Sequence, residues 1–290
     1  MTGDNVLIEY ITFRNFNFTN GSGGAIQWNG NNGILKDCNF INNTSPWGGA
    51  VWWVGINGTL SKCSFSTNSA DYGGAVCWDN VTGILTGCTF TSNAATTRGG
   101  AVYWTSNGAN GKLTDSTFTY NTSNERGGAV CWNSINGTLT NSIFIKNFAL
   151  SAGGGIYWMD RDGKLSDSTF TSNSVNNTGG GIYWSGNNGI LNNCIFNNNT
   201  AKYFAGAIRC YATGSMNNCT FINNGLFDTN DKYNGIHVEN NLTINGGKGI
   251  VIIRTAGTLF GISIVVLNNE TYYYPPNTNI NLPNNKQRIP

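Results

Sequence analysis

The sequence predicts an all-β fold, a right-handed parallel β-helix with about 25–28 residues per turn, and three observations lead to it. A six-residue block, Gly73-Gly74-Ala75-Val76-Cys77-Trp78, recurs at Gly23 to Trp28, Gly48 to Trp53, Gly99 to Trp104, Gly127 to Trp132, Gly153 to Trp158 and Gly179 to Trp184, with a decayed copy from Ala205 to Cys210. A second block, G-x-L-x-x-[C/S]-x-F-x-x-N, follows each copy, as in Gly83, Leu85, Cys88, Phe90 and Asn93. The Gly-Gly pairs step by 25, 25, 26, 28, 26 and 26 residues, and the length variation falls between the blocks, never inside one. Self-similarity at one period marks a stacked repeat, and rigid blocks with elastic polar joints are strands joined by turns.

Taken in order, residues 1–22 read as an irregular first turn whose apolar positions are Ile11, Phe13, Phe16 and Phe18. Residues 23–237 form the regular zone. No stretch there keeps a 3.6-residue period, Gly recurs every few residues, and β-branched and aromatic side chains fill the apolar sites, which together exclude helix. Short strands in a repeat of this length must coil, so that like side chains stack about 4.8 Å apart along the axis. Three columns suit an interior: one of Ile26, Val51, Val76 and Val130, one of Leu35, Leu60, Leu85 and Leu139, and one of Phe40, Phe65, Phe90 and Phe144. The in-register Trp share parity with the Ile/Val column and read as core or corner packing. The Asn column (Asn43, Asn68, Asn93, Asn121, Asn147, Asn173, Asn199, Asn224) reads as a ladder of amides bonded along the axis and tolerant of left-handed geometry. The Gly-Gly pair frees a tight turn and leaves room beside the Trp. A leucine-rich repeat shares the L-x-x-C-x-F-x-x-N half but needs a helical segment where this chain has G-G-A-V-x-W. Residues 238–290 lose the pattern and read as atypical final strands, a cap, or the start of a further β domain, closed by Tyr272-Tyr273-Tyr274-Pro275-Pro276.

Composition narrows the function. With 39 Gly and only 10% charged residues the chain would read as disordered if it were unpatterned, but the 12% aromatics sit in fixed columns. The net charge is +2 and the basic residues do not cluster, which argues against a nucleic-acid partner. No apolar run reaches a membrane span, and Met1 to Tyr10 lacks the pattern of a signal peptide, so either export information has been removed or the chain is a piece of a larger protein. Five of the 8 cysteines (Cys38, Cys63, Cys88, Cys194, Cys219) occupy one column with Ser116, Ser142 and Ser168. Free exchange of Cys for Ser indicates a small buried position rather than a bridge or a zinc site, and no metal or other cofactor is expected.

The G-G-A-[I/V] and F-x-x-N signature resembles the repeats of chlamydial polymorphic outer-membrane proteins. The Asn-rich style of residues 186–200 is closer to adhesin-like surface proteins of methanogenic archaea. The resemblance spans roughly residues 20–225. It implies an extracellular module at the cell surface, a binder of glycans or surface proteins of a neighbouring cell or else a spacer rod, and it carries over no catalytic residues.

Strand alternation places Gln27, Trp52, Cys77, Tyr103, Cys131, Tyr157, Tyr183 and Arg209 on the outward side. The column before Gly-Gly adds Trp47, Tyr72, Arg98, Arg126 and Phe204. Aromatic and Arg side chains are enriched at binding hot spots, so these two columns are the candidate binding face, with Tyr157 beside Tyr183 its longest aromatic run. The competing reading is that aromatics brace a flat parallel sheet. Polysaccharide lyases and hydrolases also use this fold, and Asp115 and Asp167 stand two turns apart, roughly 9.6 Å by strand spacing. That column also holds Asp37, Asn141, Asn193 and Asn218, however, which looks like turn chemistry. Asp160-Arg161-Asp162 sits in a turn, and His237, the sole histidine, reads as a surface or cap residue. The expectation is a non-catalytic chain.

Overall fold

The computed structural model describes residues 1–80 and 82–226 continuously, and short stretches within 235–280. The chain coils as a parallel β-solenoid, and the described residues include no helix, so none long and apolar enough to cross a membrane. The half that a leucine-rich repeat would need as helix is a strand. Three strands per turn stack into sheets that we name by their inward residue. The Leu sheet starts at Leu7–Glu9 and has 12 strands; the Phe sheet starts at Thr12–Arg14 and the Trp sheet at Ile26–Trp28, each with 10 strands. The sequence columns are the observed register: Leu60 pairs with Leu85, Phe65 with Phe90, Val51 with Val76 and Trp53 with Trp78.

A fourth sheet was not anticipated. Seven short strands, from Ser69–Tyr72 to Gly225–Leu226, occupy the elastic joint between the ladder Asn and Gly-Gly. Their inward residues are small: Ala70, Ala95, Ser123, Ala149, Val175 and Ala201 are all buried. The irregular spacing of this segment hid a strand only two to five residues long. The stretch read as an irregular first turn likewise holds two paired strands, with Ile8 opposite Leu35 and Phe13 opposite Phe40. Beyond residue 237 only isolated strands are described. Leu242–Asn245 and Ile253–Thr255 continue parallel stacks, while Ile264–Leu267 pairs antiparallel with Glu270–Tyr273. The rest of the expected terminal segment, including Tyr274 to Pro276, lies outside the described residues.

The interior consists of columns of like side chains. Phe rings stack from Phe13 to Phe221 with centroids 4.7–5.1 Å apart and planes within 2–7°. Trp rings stack from Trp28 to Trp184 at 4.2–5.7 Å, and every one is buried. At the end of that column Cys210 replaces the indole, and a small cavity opens among Trp184, Leu191, Ile208 and Met216. The glycines divide three tasks. The first of each pair holds φ between +59° and +73°, a region Gly enters without strain. A Cβ on the second would collide with the backbone of the next turn, as at Gly49 with the Gly74 carbonyl. The room beside the indole comes instead from the Gly that opens the second block: a Cβ on Gly83 would strike the Trp78 ring.

The Asn ladder satisfies every amide group it contains. Asn93 Nδ2 donates to Asn121 Oδ1 (3.0 Å) and to the Phe65 carbonyl (3.1 Å), and the Asn93 N–H donates to the same Asn121 oxygen (3.0 Å). The pattern repeats from Asn43 to Asn224, and these side chains are buried. Left-handed backbone falls one residue earlier than expected, on the exposed Asn42, Ser92, Tyr120 and Asn198. The ladder Asn is therefore chosen for its amide, not for its φ. The Cys/Ser column has a parallel logic. The thiol of Cys88 donates to the Thr86 carbonyl (3.3 Å) and the Ser116 hydroxyl to the Thr114 carbonyl (2.7 Å), while the Cys88 N–H donates to Ser116 Oγ (3.1 Å). Either atom serves as donor and acceptor at one site, which is why the two residues interchange. The cysteines of this column are free and buried.

Two substitutions test these columns. Asn121→Ala strands the Asn93 amide and the Phe90 carbonyl in the interior and is expected to destabilise by about 3 kcal/mol or more, whereas Asn124→Ala, in an exposed joint, changes stability by about 0.5 kcal/mol or less. Denaturant melts compare the two, and equal midpoints would refute the ladder's role. Val130→Asp puts an unpaired charge into a fully buried column. It is expected to abolish the cooperative β-type circular-dichroism melt, and retention of that melt would overturn the column assignment.

Candidate functional site

The turn at each Gly-Gly bends the chain so that the residue before it faces the outward side of the Trp sheet. The preceding residues form their own parallel stack, Trp47 to Tyr72 to Arg98 to Arg126 to Ala152 to Thr178 to Phe204. Opposite them stands the outward column of the Trp sheet. Tyr103 lies 5.7 Å from Tyr72 and 6.5 Å from Trp47 by ring centroids, and the Arg126 guanidinium sits 5.1 Å over the Tyr157 ring. The two columns line one corner running along the axis. They form a second apolar cluster outside the main core, built on Cys77, Tyr103, Cys131, Ala152 and Tyr157, with Trp52, Tyr72, Met159 and Tyr183 packed against it.

The candidate residues are thus brought together, but the open face expected of them is not what forms. Tyr103 (5% exposed), Tyr157 (7%) and Arg209 (6%) are buried, and Cys77 and Cys131 are fully enclosed. Trp52, Tyr72, Arg98, Arg126 and Tyr183 are half-buried, while Trp47 (37%) and Phe204 (39%) remain exposed. Outward parity held; exposure did not, because the joint segment covers the column. In four turns volumes compensate: Cys77 accompanies Tyr72 and Cys131 accompanies Arg126, while Tyr157 and Tyr183 accompany the small Ala152 and Thr178. Trp47 with Trp52, Arg98 with Tyr103 and Phe204 with Arg209 instead pair two large side chains. Tyr157 and Tyr183 do stack as anticipated, at 4.8 Å and 7°. Sequence reasoning missed Tyr211, which is exposed, 5.7 Å from Tyr183, and has the Arg209 guanidinium 4.8 Å over its ring. It is the only aromatic at the position following the Trp column, and that was its available signal.

Electrostatics follow burial. Desolvation raises the phenols of Tyr103 and Tyr157 and pushes Tyr183 up to about 12. It also drives the Cys77 thiol well above its ordinary value and takes Cys131 to about 12 against the pull of Arg98 and Arg126. Asp115 and Asp167 sit at left-handed turn positions, φ 52° and 51°. Asn141 donates to Asp115 Oδ1 (2.6 Å) and Asn193 to Asp167 Oδ1 (3.0 Å). The Asn141 bond holds the Asp115 carboxyl below its ordinary range, the opposite of what a general acid needs. Both carboxylates are turn residues tied to the amide of the next turn. Arg161 pairs with Asp162 at 3.8 Å on the surface. Among the described residues no cluster of three or more His, Cys, Asp or Glu forms a metal-binding group. The side chain of His237 lies outside the described residues.

The phenols set a pH dependence. A tyrosine whose folded pKa exceeds its unfolded value of 10 is neutral in both states below pH 10. Above pH 10 the unfolded chain ionises first and binds fewer protons than the folded one, so stability falls as pH rises through about 12. Phenolate absorbance should therefore show a late-titrating group that Tyr183→Phe removes, accompanied by a falling denaturant midpoint above pH 10. An ordinary titration at this position would contradict the burial of the corner.

Comparison with known proteins places the coil. A family profile described as a right handed beta helix region matches residues 50–212. No curated protein matches the chain. Among solved structures, alginate lyase AlyF-OU02 in complex with G6 is similar over 95% of this chain and 86% of that one, at 12% identity and a TM-score of 0.43. A likeness so distant carries nothing about activity. With strand stacking and block spacing both in register across the matched segment, the chain is a right-handed parallel β-helix and belongs to the right-handed β-helix family.

Proposed function

We propose that the chain is an extracellular, adhesin-like surface module that binds glycans or surface proteins of a neighbouring cell through the accessible end of its aromatic corner. One observation carries the reading. Trp47 stacks on Tyr72 at 4.2 Å with an interplanar angle of 14°, and Trp47 remains 37% exposed. A flat aromatic ledge on a rigid β scaffold is pre-organised to stack on the apolar face of a sugar ring or to anchor a protein side chain, with little ordering left to offset on binding. Trp52, half-buried, packs against the same cluster as Tyr72. The buried middle of the corner, from Tyr103 to Tyr157, contributes stiffness instead. The module is non-catalytic in this reading, since its paired carboxylates are tied into turns.

The same burial favours a second reading, a spacer rod within a larger surface protein, in which the whole corner is bracing. Trp47→Ser separates the two. It removes the exposed indole while leaving Tyr103 and the main core in place, so the thermal midpoint should change little. Binding of the purified chain to a glycan array, or to intact neighbouring cells, should weaken about tenfold or more if Trp47 is a hot spot. Undiminished binding by the folded variant, or no binding by the wild type to either surface, leaves the spacer reading standing.

A further inference from the structure

We infer that Asn136 is an acceptor for N-linked glycan transfer, and that the fold sorts the Asn-x-Ser/Thr motifs among the described residues into reachable and unreachable ones. The inference rests on the extracellular location proposed above. Such motifs recur in an Asn- and Thr-rich sequence, so the motif alone selects nothing. The geometry does. Asn43-Thr44-Ser45 and Asn121-Thr122-Ser123 carry the motif on ladder residues that are fully buried. The Asn121 amide donates to Asn147 Oδ1 and the Phe90 carbonyl and accepts from Asn93. A sugar there would dismantle the ladder.

Other motifs lie on exposed turns but have their amides engaged, and two more, Asn17-Phe18-Thr19 and Asn20-Gly21-Ser22, lie exposed in the first turn. Asn57 Nδ2 donates to Asn32 Oδ1 (3.2 Å), Asn42 Nδ2 to Asn15 Oδ1 (3.0 Å) and Asn218 Nδ2 to Asn193 Oδ1 (3.1 Å). In Asn176-Asn177-Thr178 the third residue is buried. Within the regular turns, Asn136-Gly137-Thr138 combines the needed features. Asn136 is exposed at φ 55°, on the turn beside the inserted loop Thr105 to Asn110, where the ladder of turn amides is interrupted. Its side chain makes no hydrogen bond among the described residues. Thr138 opens the following strand half-exposed, with its hydroxyl likewise uncommitted. Gly137 adds no side chain between them.

In the transfer, Asn136 Nδ2 forms a bond to the anomeric carbon of an oligosaccharide carried on a polyprenyl pyrophosphate. The anomeric C–O bond breaks, the lipid pyrophosphate leaves with the electron pair, and the amide proton passes to the base of the transferase. Nothing is oxidised or reduced. The Thr138 hydroxyl is the element by which such a transferase recognises the acceptor.

Secretion of the whole chain from a host with an N-glycosylation pathway tests this, with sites mapped on the folded, secreted pool by amidase release in heavy-oxygen water and peptide mass spectrometry. The expected result is a glycan on Asn136 that is lost in Thr138→Ala and kept in Thr138→Ser, with Asn43 and Asn121 unmodified. An unmodified Asn136 in secreted protein overturns the inference, as does a glycan on Asn121 in a chain that melts like the unmodified one. Protease shaving of intact source cells reads location independently. A chain protected inside the cell would end the surface reading without altering the acceptor result.

Discussion

Each turn of the regular coil lies about 4.8 Å from the next in a parallel stack, so whatever a turn presents at one position is repeated directly above and below it. That spacing is also the stacking distance of aromatic rings and, with small tilts, the reach of an amide hydrogen bond. Phe and Trp columns can therefore pack flat on themselves, and a column of Asn can bond to itself without any outside partner. A single foreign residue is felt by two neighbours at once. Buried polarity is tolerated here because the ladder leaves no amide group unpaired from one turn to the next.

The indole column is the least economical part of this arrangement. Trp132 finds the Ser134 hydroxyl and Trp184 the Gly186 carbonyl, but the indole N–H groups of Trp28, Trp53, Trp78, Trp104 and Trp158 are buried without a hydrogen-bond partner. An unpaired buried donor costs about 1–3 kcal/mol, which the apolar area of a stacked indole offsets. The same column dictates the glycine opening each second block. Loosening of that contact at Gly111, where two inserted residues precede it, shows how closely the Trp and Gly positions depend on one another.

Outside the core, two columns share one corner, and their side chains fill it jointly. Where the Trp sheet offers a thiol, the joint supplies Tyr72 or Arg126; where the joint is small, the sheet supplies Tyr157 or Tyr183. Most of the aromatic surface that looked available for a ligand is consumed by this packing. What is left open, at Trp47 on one side and at Phe204 and Tyr211 on the other, is where the stack of complementary residues runs out. A coil built this way keeps, as the exposed aromatics of this corner, Trp47 at one end and Phe204 and Tyr211 at the other.

By itself the sequence determined the coil, the number of residues per turn, the inward columns, the Asn ladder and the Cys/Ser interchange, because each is periodic and a parallel stack turns period directly into contact. It also marked Asp115 and Asp167 as turn residues through the Asn that share their column. Only the tertiary structure decided that the joint carries a fourth sheet, that Tyr103, Tyr157 and Arg209 are covered, and which Asn side chains remain uncommitted. Those outcomes depend on contacts between different columns across a bend of variable length. Alternation specifies the side of a sheet on which a residue lies but not what packs against it, and for this reason the accessible surface could not be read from the repeat.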